Sequence, residues 1–203
     1  MKKKLLALIL SVAVVASIAA AGTLAYLTST SDVVTNTFTV GDINIDLKEH
    51  EYKDGVLTET EVTKNEYTRI LPGQTLPKDP FVTVKADSED CWLYVVVANG
   101  MNNVVKGAAT LDINENWELI EGDDVLGFYR YKLAVGSAST DQIFKVFDNM
   151  TINADLTNAE MADINEQAIV INAFAHQVEG VEQSVADAAA IETLLGAFEG
   201  TEF

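Results

Sequence analysis

Cys91-Trp92-Leu93-Tyr94-Val95-Val96-Val97-Ala98 is a stretch without a single charge, apolar at odd and even positions alike. A strand with one wet face alternates apolar with polar residues, so a run apolar on both faces reads as a central strand covered on both sides. Cys91 opens this run as the only cysteine of the chain, which makes an intrachain disulfide impossible. Its apolar setting marks it as a buried structural thiol. Stability must then come from packing.

The flanking segments carry the complementary pattern. Ile43, Ile45 and Leu47 alternate with Asn44, Asp46 and Lys48, as in a half-buried strand. Lys53-Asp54-Gly55 is a turn signal before the strand Val56–Val62, and Leu71-Pro72-Gly73-Gln74-Thr75 is a second turn before the strand Phe81–Lys85. Beyond Asn99-Gly100, strands are expected near Trp117–Ile120, Leu126–Leu133, Gln142–Phe147 and Gln167–His176. Short strands with regular turn signals indicate an all-β, antiparallel β-sandwich. Thr157 with Glu160 forms a capping-box pattern for a short helix, and Ser184 with Asp187 for a longer C-terminal one. That second helix is expected to place Val185, Ala188, Ile191, Leu194 and Leu195 on its apolar face.

The beginning of the chain reads as an export signal. Lys2 to Lys4 form a basic start, Leu5 to Ile18 an apolar stretch, and small residues follow from Ala19. Cleavage after Ala21 and after Ala25 both fit, and an uncleaved anchor is the alternative, since the run Leu5–Ala21 has 17 residues. Cleavage at Ala25 leaves Tyr26 first and one domain over residues 26–203. That mature chain has 10 basic against 31 acidic residues, a formal −21. Such a balance excludes nucleic acid as a partner and argues against docking on anionic lipid.

Gly22-Thr23-Leu24-Ala25-Tyr26-Leu27-Thr28, followed by Val33-Val34-Thr35-Asn36-Thr37-Phe38-Thr39-Val40-Gly41-Asp42-Ile43-Asn44-Ile45, resembles the leader and first strand of the TasA/camelysin family. These are secreted Gram-positive proteins processed by the signal peptidase SipW. Ile70–Thr75, Tyr129-Arg130-Tyr131 and Ala173-Phe174-Ala175-His176-Gln177 are similar to the family body. The resemblance implies cleavage between Ala25 and Tyr26 and a jelly-roll-like sandwich with short helical insertions and a C-terminal helix. It also implies a place at the cell surface or in the biofilm matrix, among related matrix proteins. In that family a subunit's N-terminal strand completes the sheet of the next to build a fibre. Here the candidate donor is Tyr26–Val40, with Val34, Asn36, Phe38 and Val40 on one face and Val33, Thr35, Thr37 and Thr39 on the other. Pairing of the same segment within its own subunit uses the same alternation and stays open.

Camelysin's description as a metalloendopeptidase sets a second expectation. A zinc peptidase of the His-Glu-x-x-His type needs two imidazoles one helical turn apart. His50-Glu51-Tyr52-Lys53-Asp54 puts an aspartate in the second ligand position, within a hairpin turn, so His50-Glu51 reads as a solvated loop. His176 is the only other histidine, and no spacing joins it to His50 and Cys91. Gly136-Ser137-Ala138-Ser139 lacks the second glycine of a nucleophile elbow. Asp123 with Asp124, and Asp112 with Glu115, are compatible with Ca²⁺ but sit in no calcium-loop motif and read as surface charge. No catalytic or cofactor-binding residue is therefore assigned. Leu71–Thr75 departs from a sortase signal in register and position, and Asn149-Met150-Thr151 is a chance glycosylation sequon behind a bacterial leader. Trp92, Tyr94, Trp117, Phe128, Tyr129 and Tyr131 read as core, with a glycan groove as the alternative.

Overall fold

The computed structural model describes residues 42–197. Three antiparallel sheets and a few helices make the domain an all-β sandwich. The first sheet holds β1 (Ile45–Lys53), β2 (Val56–Val62), β4 (Phe81–Val84) and β9 (Gln142–Lys145), in the order β2-β1-β4-β9. The second holds β5 (Cys91–Asn99), β7 (Trp117–Gly122), β8 (Leu126–Tyr131) and β11 (Ile169–Gln177), in the order β11-β5-β8-β7. Two four-stranded sheets are the strand count of a jelly roll. A third, small sheet joins β3 (Thr75–Pro77), β10 (Asn149–Ile152) and β6 (Ala109–Leu111), in the order β3-β10-β6. These three short strands escape sequence reading, because three or four residues carry no measurable period.

β5 occupies the centre, as its two-faced apolar sequence requires. Cys91, Leu93, Val95 and Val97 point into a core shared with Val82, Val84, Val146 and Phe147. Tyr94, Val96 and Ala98 point the other way, against the C-terminal helix. Full burial of each such Val, Leu or Phe side chain contributes about 1.5–3 kcal/mol. Tyr94, Trp117 and Phe128 are buried, while Trp92, Tyr129 and Tyr131 pack at the margins of these clusters. The aromatics are core residues, as expected.

β1 keeps the expected alternation. Ile43, Ile45 and Leu47 pack on the core, and outside, Lys48 meets Glu61 at 2.8 Å and Asp46 meets Lys85 at 3.0 Å. Lys53 pairs with Val56 across Asp54 and Gly55, whose φ values of 53° and 91° make a two-residue turn of the kind that matches strand twist. His50-Glu51, expected in a loop, lies inside β1. The local pattern ends where the hairpin begins, but the ladder with β2 carries the strand on to Lys53.

The helices among the described residues are α1 (Gly100–Val104), α2 (Asn158–Asp163) and α3 (Gln183–Gly196). In α2 the capping box is present, with Thr157 and Glu160 satisfying each other's backbone N–H groups. The C-terminal helix departs from expectation. It begins at Gln183 behind Glu182, without a side-chain cap, and its buried face is Ala186, Ala190 and Leu194. Val185 and Leu195 are exposed. Asp187, expected to serve the cap, instead accepts a hydrogen bond from the Tyr94 hydroxyl at 2.9 Å and meets Arg130 Nη1 at 2.6 Å. A buried tyrosine and a half-covered guanidinium need a carboxylate more than a surface helix end does, and they set the helix's rotation. Among the described residues no helix is long and apolar enough to cross a membrane.

Candidate functional site

β11 reads Ile-Val-Ile-Asn-Ala-Phe-Ala-His-Gln, with no acid, lysine, arginine, glycine or proline. Its register with β5 runs unbroken from Ile169 opposite Asn99 to Gln177 opposite Cys91. Ile169, Ile171, Ala173 and Ala175 face one core cluster, Val170 and Phe174 the other. Both faces are thus largely covered, yet no described strand pairs with the outer edge. A long, uncharged edge is a template for another strand, because its outward N–H and C=O groups lack backbone partners, although Asn172 Oδ1 accepts from the Ala173 N–H at 2.9 Å and His176 Nδ1 lies 3.0 Å from the Gln177 carbonyl.

The other edges are blunted. β7 has six residues, a bulge between Leu119 and Glu121, and two glutamates. β9 has four residues and β2 carries Glu59 and Glu61, while β3 and β6 have three residues each. β1 is protected differently. Where β4 stops opposite Lys48, the His50 N–H donates to Asp79 Oδ1 at 3.1 Å. The Asn65 side chain accepts from the Tyr52 N–H and donates to the His50 carbonyl, both at 2.7 Å. Side chains there occupy the places of a missing strand.

A groove of 1470 Å³ opens beside the start of β11, bounded by Ile169–Ile171, by Leu47–Glu49 of β1 and by the segment Thr63–Ile70. Met101, Met150 and Met161 line it, and the first two are buried. Unbranched thioethers adapt to the shape of an apolar occupant. Its polar part is a buried ion pair, with Lys78 Nζ 2.5 Å from Glu49 Oε2 and both side chains at or below 10% exposure. Removing either partner strands a buried charge, at a cost of about 3–5 kcal/mol. Tyr67 covers this pair, donating its hydroxyl to the Pro77 carbonyl at 3.0 Å. Burial, then the negative charges of Glu49 and Asp79, push the phenol's pKa well up, so Tyr67 stays neutral.

Charge is distributed unevenly around the groove. Lys48, Lys64, Arg69 and Lys78 line it, four of the ten basic residues of 42–197. Only Glu49, Glu66 and Glu166 do so from the 28 acidic ones, which makes this region locally basic on a strongly acidic domain. Lys48, Lys64 and Lys78 are paired with Glu61, Glu66 and Glu49. Arg69 is exposed, has no carboxylate partner among the described residues, and sits at φ 59°.

The residues weighed for chemistry are dispersed. His50 Nδ1 lies 2.7 Å from Asp79 Oδ2, with the ring against Phe81. Cys91 is fully buried, and burial, then Asp90, pushes its thiol up to about 11. His176 pairs opposite Trp92 and Gln177 opposite Cys91, so His176 and Cys91 lie on opposite faces of their sheet. Asp112 and Asp123 hold backbone and are more than surface charge. Asp112 accepts from the N–H groups of Asp148 and Asn149, and Asp123 from those of Val125 and Leu126. Among the described residues no group of three His, Cys, Asp or Glu is placed to hold a metal ion. The cleavage residues Ala25 and Tyr26 and the donor face Val34, Asn36, Phe38 and Val40 lie outside the described residues. Sequence reading missed the groove and its Arg69. The absence of charge in Ile169–Gln177 was the one signal available for it.

No family model, curated protein or solved structure compared with this chain matches it. The class that fold and geometry define is an antiparallel β-sandwich with one long, uncharged edge strand.

Proposed function

We propose that this chain is a secreted, noncatalytic structural protein of the TasA/camelysin type, placed at the cell surface or in a biofilm matrix and self-assembling by N-terminal strand exchange. The basic start and apolar run of the leader support export, and the sequence around Ala25-Tyr26 supports processing by SipW. The observation that carries the reading is the β11 edge: nine residues, uncharged, unbulged, and beside a groove lined by Met101, Met150 and Met161. The candidate donor Tyr26–Val40 is long enough to cover that edge, since nine extended residues already span about 30 Å. Added to β11, such a segment would gain main-chain hydrogen bonds and bury Val34, Phe38 and Val40, each worth about 1.5–3 kcal/mol before ordering costs.

Mature protein from Tyr26 and a variant lacking Tyr26–Val40 test this directly, with electron microscopy and light scattering as readouts. The full chain is expected to form fibres or oligomers, and the shortened chain to stay monomeric with an unchanged circular-dichroism spectrum. Assembly that survives the deletion would rule out strand donation. Sequencing the N-terminus of the exported protein checks cleavage at Ala25 at the same time.

A further inference from the structure

We infer that Arg69 is the residue that orients the incoming strand, by pairing with Asp32 of a second copy of this chain. The inference rests on strand exchange and adds to it a specific contact and a direction. Arg69 lines the groove at the beginning of β11, exposed and without a carboxylate partner among the described residues. The groove is the locally basic part of a domain that is otherwise strongly acidic. Between Lys4 and Asp42, Asp32 is the only charged residue. One unpaired guanidinium therefore faces an occupant whose single charge has the opposite sign.

The left-handed backbone at Arg69, φ 59°, is costly for a residue with a long side chain. Arginine is also the side chain best suited to grip a carboxylate in two-pronged fashion. Asp32 stands directly before the alternating stretch Val33–Val40 of the donor segment, and the groove meets β11 at its first residues, Ile169–Ile171. The pair thus sets the donor parallel to β11. An antiparallel donor would carry Asp32 to the far end, near Gln177, out of reach of Arg69. A strand without other charges has no comparable means of choosing its direction, because its apolar alternation reads nearly alike both ways.

The test uses mature protein with Arg69→Glu, Asp32→Lys, and both together, scored by the concentration at which fibres or oligomers appear. At low salt each single variant is expected to raise that concentration about three- to tenfold, the range for reversing one exposed ion pair. The double variant is expected to restore it, and 1 M salt to flatten all differences. Thermal melts of both single variants report their folding separately. Low-salt assembly of both single variants at the wild-type concentration, with the deletion of Tyr26–Val40 still abolishing it, overturns the pairing and leaves strand exchange standing. A wild-type chain that stays monomeric, or one whose assembly ignores the deletion, overturns both.

Discussion

The two edges of the central sheet are built in opposite ways. β7 closes one side with six residues, a bulge at Leu119/Glu121, and Glu118 held 2.7 Å from Arg130 Nη2. β11 closes the other with nine residues in continuous register and no charge. β7 is mostly exposed beyond Trp117, whereas β11 is half-buried along nearly its whole length. What also differs is the defence against a further strand: charge and a bulge on β7, and on β11 only the Asn172 side chain accepting from the Ala173 N–H and His176 beside the Gln177 carbonyl.

The first way to break the contrast is to damage the protected edge. Gly122 ends β7 at φ 93°, and a Cβ there would lie 1.9 Å from the Leu126 carbonyl oxygen. Gly122→Ala is expected to cost about 1–3 kcal/mol in urea unfolding, since backbone must move to admit the methyl group. An unchanged midpoint would mean that the β7–β8 turn has slack the geometry does not suggest. A second way is to give β11 the protection that β7 has. Asn172→Lys places a charge in the middle of the strand, beside Val170 and Phe174 on the half-covered face. Folding stability is expected to change by under about 0.5 kcal/mol, while assembly weakens roughly tenfold. Assembly at the wild-type concentration would show that β11 is not the accepting edge.

The smallest effect concerns pH at the β7–β8 turn. The Val125 and Leu126 N–H groups hold the Asp123 carboxylate below its usual pKa, with Lys106 adding a little. A lowered folded-state pKa contributes stability above the ordinary aspartate range, and the contribution fades as pH falls through the lowered value. Amide exchange at Val125 and Leu126 should accelerate in that acid window, while the β11 amides paired with β5 stay protected. Equal acceleration at both edges would contradict the local assignment.

Much of this fold is legible without coordinates. Two-faced burial of Cys91–Ala98, the Asp54-Gly55 hairpin and the Thr157–Glu160 capping box are all local facts of residue type and spacing. The failures have a common cause. His50-Glu51 belongs to a strand because a ladder extends past the local pattern, and Asp187 serves Tyr94 and Arg130 from a distant part of the chain. The groove gathers Leu47, Arg69, Met150 and Ile171, residues with no sequence relation to one another.

Sequence alone determined most of the longer strands and which of their faces are dry, because alternation records contact with water residue by residue. It also determined that Ile169–Gln177 carries no charge. Only the tertiary structure decided that this segment lies at an edge, while the likewise uncharged Cys91–Ala98 lies at the centre. The reason is physical: side chains report on faces, whereas an edge is defined by backbone N–H and C=O groups that are the same in every residue. Whether those groups find partners depends on segments far away in the chain.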